Sequence, residues 1–454
     1  MSSRAAATTH RRAFRFALSP NDRQKGRLAS HAGGARFAYN LGLQWLKESL
    51  EKRRLGSDVS TPNATEMHRR WNRWKKDPAN SASWWADNSK CVYQEAFRDL
   101  ELGFRSFLAS KNGKRKGPRV HFPRFKCKGR CRDGFRLTGL IRVWDHAIQL
   151  PKLGRIRLHE LSTTLVVELD AGTTRITSAS VNREADRWFV TFRVERVTVA
   201  PKRPTGKPIG VDFGISTLAT LSNGVVFAGP RSLLINLRKL RRLSRGHARK
   251  HSGSANRRRS ARKLARCHAR VSHLRRDHLH KLSTYLAKNH SRIVIEDLNV
   301  KAMLKHRRLA RSIADAGWGV LAEMLAYKCR WYGSELVRAD RFFASSKTCS
   351  RCGVIKRLLN LSDREFVCDG CGETIDRDLN AARNLARWPG VAGSASETQN
   401  ACGGNIRPGG SQAGPDEAGT EQPALASGSE PNAGSVGLQT GRRARKEGRV
   451  ASGI

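Results

Sequence analysis

The sequence predicts an α/β protein of several domains. Three observations carry that reading. Hydrophobic periodicity switches from helical to strand-like and back along the chain, a proline-rich linker separates two strand-rich blocks, and four cysteines fall in paired metal-ligand spacing. A length of 454 residues sets a prior of about two to four domains. The formal net charge of +48 exceeds what solubility needs. Such a surface implies a polyanionic partner, by default nucleic acid, although a ribosomal or packaging protein fits the charge equally.

Residues 1–30 hold a basic lead, expected to be disordered to about residue 12, and a first strand, RRAFRFALS, stopped by Pro20. From Asn21 to Leu50 the spacing of Leu28, Phe37, Leu41 and Trp45 is helical. Residues 31–115 read as a helical bundle, in which Phe97, Leu100, Phe104, Phe107 and Leu108 share one stripe. Its tryptophans, in RRWNRWKKDPANSASWWADNSK, could stack on bases, but packing is the default for residues of this kind. Residues 116–205 begin with a glycine-, proline- and lysine-rich loop. They continue as short strands, TLVVEL and RITSASVNREADRWFVTFRVE among them, and end in the linker APKRPTGKP. An antiparallel, β-barrel-like module is expected there.

Residues 206–388 open with strand, turn, strand, Ser-Asn-Gly turn and strand in KPIGVDFGISTLATLSNGVVFAG. A basic helical segment follows over 231–290, then a buried strand, RIVIEDL, a helix over 313–332, a strand, SELVRA, the cysteine region 345–375 and a last helix, LNAARNLARW. Residues 389–454 lack apolar periodicity and are expected to be a disordered tail. No run approaches the roughly 18 to 20 apolar residues that cross a bilayer, and MSSRAAATTHRRAF has no apolar signal core. A reducing cytosol is therefore expected, where clustered cysteines signify metal ahead of disulfides.

Cys349, Cys352, Cys368 and Cys371 form C-x2-C, fifteen residues, C-x2-C. Two thiolate pairs on tight knuckles suit tetrahedral, structural Zn2+, and four protein ligands leave no open position for chemistry. Gly353 and Gly372 follow the second cysteine of each pair, where a knuckle needs a permissive backbone. Cys127 and Cys131 have no second pair near them, and Cys91, Cys267, Cys329 and Cys402 read as free thiols.

In so basic a chain, carboxylates at strand ends stand out. Asp212 ends an apolar strand in PIGVDFG, Glu296 ends another in IVIEDL, and Asp378 starts the last helix with Ala382 and Leu385 on its face. Singly, Asp212 could cap a turn, Glu296 could pair with an arginine, and Asp378 could be a helix N-cap. The order of elements matches an RNase H-like nuclease fold. There, three converging carboxylates make a hard-oxygen site suited to Mg2+ or Mn2+, two ions about 3.5 to 4 Å apart. Strand alternation turns Asp297 away from Glu296, and Asp376 lies on another side of the helical turn from Asp378.

IGVDFGISTLAT, IVIEDLN, SSKTCSRCG and CDGCGETIDRDLNAARN, in this order, resemble the TnpB family of transposon-encoded, OrfB-type RNA-guided nucleases, relatives of type V CRISPR effectors. YNLGLQ, FRDLELGFRSFL and HFPRFK resemble its helical recognition and wedge regions, so the resemblance covers roughly residues 12 to 388. It implies a RuvC-type catalytic triad of Asp212, Glu296 and Asp378, and a zinc ribbon inserted before the last catalytic helix. It also implies a guide RNA from the transposon's own end, a double-stranded DNA target beside a short flanking motif, and a cytoplasmic, nucleoid-associated bacterial location. A DNA-strand-transferring transposase uses similar chemistry, and a non-catalytic nucleic-acid-binding regulator would share the charge. Sixteen Lys or Arg and no acid between Arg238 and Arg276 point to a phosphate partner such as an A-form duplex, with Arg257, Arg258 and Arg259 as candidate contacts. Leu240, Leu243 and Leu264 are expected to anchor these helices to the nuclease core.

Overall fold

The computed structural model describes residues 8–80, 83–198, 201–360 and 363–389. Residues 1–7 of the expected lead, and the expected tail from 390 onward, lie outside them. Strand β1 (Thr8–Ser19) takes in residues expected to be disordered, since Thr8–Arg12 pair with Thr198–Val194. Its basic composition looks like a solvated lead, yet Phe16 and Leu18 point into a core and anchor the strand.

Helix α1 (Asp22–Arg54) starts with a capping box in which the Asn21 side chain accepts from the Gln24 backbone N–H and the Gln24 side chain accepts from that of Asn21. Its Leu28 and Ala32 join the core of the neighbouring sheet, and its Leu43 and Leu46 join a second, helical core. That core is completed by α2 (Ala64–Trp74) and α3 (Lys90–Lys111). Packing takes Trp71, Trp74 and Trp85, whereas Trp84 is exposed: Trp71 is fully buried, its ring 5.1 Å from Trp74 and 4.8 Å from Tyr93. Of the expected stripe on α3, Phe97 and Leu100 are buried, whereas Leu108 is exposed because the bundle has run out beneath it.

The first sheet contains β1, β2 (Gly134–Leu137), β3 (Arg142–Trp144), β4 (Ala147–Leu150), β5 (Gly154–Leu158), β6 (Thr174–Glu184) and β7 (Arg187–Thr198). All neighbours are antiparallel in the order β2-β6-β7-β1-β5-β4-β3, an open run with β2 and β3 at its ends. TLVVEL, expected as a strand, is part of helix α4 (Thr163–Asp170). Leu165 is fully buried, Leu169 packs partly on the same core four residues on, and Val167 between them is exposed. A six-residue stretch with four apolar residues cannot show that period without its flanks.

The second sheet is built from β8 (Ile209–Asp212), β9 (Thr217–Leu221), β10 (Val226–Ala228), β11 (Arg292–Glu296) and β12 (Glu335–Ala339). Its order is β10-β9-β8-β11-β12, with β8, β11 and β12 parallel and β9 and β10 antiparallel to their neighbours. Helices α5 (Ser232–Ala248) and α6 (Ala255–Asn289) fill the basic segment. After β11 come α7 (Val300–Met303), α8 (Ala310–Ala316) and α9 (Trp318–Tyr332), the helix expected over 313–332 being divided at Gly317. Leu279, Leu282 and Leu286 of α6 pack with Leu321 and Leu325 of α9 against Val211, Ile293 and Ile295 of the sheet. Leu240, Leu243 and Leu264 are not the expected anchors: with Cys267 and Val271 they form a separate core between α5 and α6. The far end of α6 does the anchoring, because its apolar residues recur there at helical spacing. A hairpin of β13 (Glu365–Val367) and β14 (Thr374–Asp376) leads into α10 (Arg377–Arg387). No helix among the described residues is long and apolar enough to cross a membrane.

Candidate carboxylate site and four-cysteine ribbon

Asp212 and Glu296 are the last residues of adjacent parallel strands. The register pairs Val211 with Ile295, so the next residue on each strand is one of the two acids, at the same edge of the sheet. Asp378 reaches that edge from α10, which lies against β8 at very close range. A Cβ on Gly210 would stand 2.0 Å from the Ala382 carbonyl oxygen and 2.4 Å from the Ala386 nitrogen, so only glycine admits the helix there. Asp378 precedes Ala382 by one helical turn, about 6 Å, and Asp212 follows Gly210 by two strand residues, about 6.7 Å.

All three acids are half-buried. Burial, then the charges of Glu296 and Asp378, push the Asp212 carboxyl well above the usual carboxylate range. Burial followed by Asp376 also raises Asp378, partly opposed by Arg364, Arg377 and the Thr217 hydroxyl. That hydroxyl oxygen is buried on β9 beside Asp378. The Ser345 hydroxyl donates to Glu296 Oε1 at 2.7 Å. The helix cap belongs to Asp376, whose Oδ1 accepts from the Leu379 N–H at 2.9 Å, which leaves Asp378 free of that duty. Asp297 turns outward to pair with Arg341 at 2.5 Å and Arg338 at 3.6 Å.

Cys349, Cys352, Cys368 and Cys371 place their sulfurs within 4.8 Å of one another. Cys349 and Cys371 are 3.7 Å apart, and Cys352 and Cys368 are 3.5 Å apart. Tetrahedral zinc with Zn–S of about 2.3 Å has edges near 3.8 Å, so the cluster fits that ion. Gly353 and Gly372 take φ of 80° and 68°, the left-handed values the knuckles require. The Cys371 N–H, joined by that of Gly370, draws the Cys368 thiol down to about 6 against the effect of burial. Among the other described cysteines, Cys131 donates to the Cys127 carbonyl, Cys91 to the Thr138 carbonyl, and Cys267 and Cys329 are buried; Cys402 lies outside the described residues.

Two buried amides tie the ribbon to α10. Asn380 accepts from the Ser350 N–H at 2.8 Å and donates to the Thr348 carbonyl at 2.7 Å. Asn384 donates to the carbonyls of Ser345 at 2.7 Å and Thr348 at 2.6 Å. Sequence reasoning missed both amides and Ser345, although polar residues on the apolar face of a short helix were a readable signal.

Of the candidate phosphate contacts, Arg258 and Arg259 are exposed, while Arg257 donates to the Lys250 carbonyl at 2.7 Å and steadies the α5–α6 turn. A groove of about 1570 Å³ between the first sheet and helices α6 and α9 was not foreseen. Arg12, Arg15, Arg193, Arg276 and Arg330 line it. Arg12 sits 4.4 Å from the Trp331 ring centre and Arg15 4.0 Å from that of Phe189. Burial and then Arg196 lower the Arg12 pKa, and its Nε has no hydrogen-bond partner.

A family profile described as "Probable transposase" matches residues 190–307, and another, "Cas12f1-like, TNB domain", matches residues 318–385. A third, "Helix-turn-helix domain", matches residues 10–54, which here form β1 and the single helix α1. A protein of Streptomyces pristinaespiralis named "Putative RNA-guided DNA endonuclease" is 36% identical over 405 residues, 88% of this chain and 92% of the relative. The chain belongs to the TnpB family. Another relative, InsQ of Escherichia coli K12, carries the same description and is 31% identical to this TnpB-family chain over 82% of its length and 91% of InsQ. A solved Cas12f1–sgRNA–target DNA complex aligns with 84% of this chain and 99% of the other at 14% identity, with a TM-score of 0.42.

Proposed function

We propose that this TnpB-family chain is an RNA-guided, metal-dependent DNA endonuclease that hydrolyses phosphodiester bonds at Asp212, Glu296 and Asp378. The observation that carries the reading is the placement of Asp212 and Glu296 at one sheet edge, with Asp378 near enough that its charge and that of Glu296, after burial, raise the Asp212 carboxyl. The strand order, three antiparallel strands followed by two parallel ones, supports an RNase H-like, RuvC-type domain over 206–388. Hard oxygen donors whose charges repel one another in a half-buried rim suit a divalent cation, and the buried Thr217 hydroxyl lies beside Asp378. Asp212, Glu296 and Asp378 would hold Mg2+ or Mn2+, which would supply an activated water and stabilisation of the leaving 3′ oxygen. The chain's own part is positional. Parallel strands fix Asp212 and Glu296 side by side, Ser345 orients the Glu296 carboxylate, and α10 delivers Asp378.

The four cysteines hold structural Zn2+ in this reading. The first sheet with its helical bundle serves as wedge and recognition parts. The basic helices, with Arg257, Arg258 and Arg259, and the arginine-lined groove hold a guide RNA made from the transposon end and its DNA hybrid through phosphates. The protein itself reads a short motif beside the target.

The test is to purify the chain with its RNA and offer guide-matched DNA in Mg2+. Asp212→Ala abolishes cutting while RNA still co-purifies. Cutting by that variant at the wild-type rate would sink the proposal.

A further inference from the structure

The residues just beyond β12 form a turn that holds one aromatic ring out in solvent. Phe342 is 89% exposed, more than any other large apolar side chain of the described residues. A single exposed apolar residue is ordinary on a protein surface. This one differs in how firmly its backbone is held. The Phe342 N–H donates to Asp340 Oδ1 at 2.8 Å, and the Phe343 N–H to the Asp340 carbonyl at 3.1 Å, closing a tight turn with Phe342 at its apex. On one side Arg341 pairs with Asp297 at 2.5 Å, which fixes the turn to the end of β11. On the other side the Phe343 ring packs 4.5 Å from that of Trp388, directly after α10. The Ser345 N–H then bonds the Phe343 carbonyl at 2.8 Å, and its hydroxyl grips Glu296. Both neighbours of Phe342 are tied down while its ring touches little of the protein.

The place is as telling as the exposure. Ala339 is the register partner of Glu296, about 5 Å across the strands, and three residues span at most about 10 Å, so Phe342 lies within about 15 Å of Glu296, on the stretch that leads to Ser345 and its bond to Glu296. Arg338 and Arg341 flank it, half exposed, on a chain of net charge +48. An exposed ring on a held turn, beside two arginines that share the single Asp297 carboxylate and so keep a net positive charge, suits a nucleic-acid base, because bases stack on aromatic side chains irrespective of sequence while cations hold the backbone.

We propose that Phe342 is a stacking platform for one unpaired base of the DNA strand whose phosphate lies at Asp212, Glu296 and Asp378. The ring holds the strand's register so that the scissile phosphate stays over the acids. This proposal rests on the nuclease reading given above. The binding energy it adds falls on a strand already separated from its complement, because a paired base has both faces covered.

The experiment uses the full chain with its co-purified guide RNA, matched DNA and Mg2+, read as single-turnover cutting rates at subsaturating complex. Phe342→Ala and Phe342→Leu lower the rate about 5- to 150-fold, the loss expected for one stacked base, and Phe342→Trp stays near wild type. Guide RNA content and melting temperature stay unchanged in all three, since the side chain is outside the core. A single abasic site walked along the cut strand gives the same loss at one position in the wild type, and no further loss there in Phe342→Ala. Wild-type cutting by Phe342→Ala, full rescue by Leu, or additive losses with every abasic position would overturn the stacking role. Asp212→Ala, run in parallel, separates the two claims. If it still cuts, the nuclease reading falls first. If it is dead while Phe342→Ala is normal, only the stacking is wrong.

Discussion

Replacing Gly210 by alanine adds a single methyl group at the point where β8 meets α10, and the structure gives its effect a size. The new Cβ would meet the Ala382 oxygen at 2.0 Å, the Ala386 nitrogen at 2.4 Å and the Leu385 carbonyl carbon at 3.0 Å. All three atoms are backbone, so no side chain can swing aside. Bringing the oxygen back to ordinary contact at 3.4 Å requires the helix and strand to part by about 1.4 Å. Asp378 moves with the helix, and a misplacement of about 1 Å at a reacting site costs on the order of a hundredfold in rate. Overpacking in cores costs about 1–3 kcal/mol and occasionally more, and with all three clashing atoms in the backbone this site falls at the upper end, so the rate is normalised to the folded fraction. Single-turnover cutting of guide-matched DNA, alongside zinc content and a melting curve, measures both effects. A folded Gly210→Ala protein that cuts within about threefold of wild type would show that the acids do not depend on this contact.

Two further perturbations read other parts of the structure. His31 is buried between α1 and the start of α3, its Nδ1 donating to the Arg27 carbonyl at 2.9 Å and its Nε2 accepting from the Ser89 N–H at 3.2 Å, so burial lowers its pKa to about 4. The neutral ring's contribution is present above the unfolded value of 6.5 and is lost as pH falls from there through about 4, a change on the order of 3 kcal/mol. Tryptophan fluorescence of the bundle during denaturant unfolding follows it, and an identical pH slope in His31→Gln would refute the assignment. Cys368→Ser, or chelation of the wild type, removes one bound zinc and lowers cutting with it while RNA binding persists. A zinc-free protein cutting at the normal rate would break that link.

Asp212 and Glu296 were legible in the sequence because each ends a run of strand-forming residues, and a parallel pairing in register needs nothing more to bring them together. Asp378 was legible only through the order of elements, since Asp376 and Asp378 both stand where a cap is expected, and only the structure gives the cap to Asp376. The four cysteines were readable from spacing because tetrahedral sulfur ligation is local within each pair. Other features depended on contacts distant in sequence. The arginines of β1 lie in the expected first strand, but their place in a groove beside α6 and α9 could not be read before that strand was paired with β7. The helix in TLVVEL was hidden because four apolar residues within six positions carry no decisive period. Gly210 reads as an ordinary strand glycine until α10 is laid against it.

The ribbon's place in the chain has a mechanical reason. Residues 345–350 run directly from the rim of the second sheet into the first cysteine knuckle. At one end Ser345 holds Glu296, and in the middle the carbonyls of Ser345 and Thr348 are held by Asn384, with Thr348 and Ser350 held by Asn380. Asn380 is fully buried and Asn384 nearly so, and a buried amide that loses its partners pays its full desolvation cost. This short backbone therefore has little freedom to move without breaking several bonds at once. Cys349 lies within it, so closing the sulfur cluster also fixes the piece of chain that orients Glu296 and braces the helix carrying Asp378. Two of the three acids thus take their position from one segment. A zinc ion at the four sulfurs, with no open coordination position, would in this way fix the placement of Glu296 and Asp378 while contributing no ligand to them.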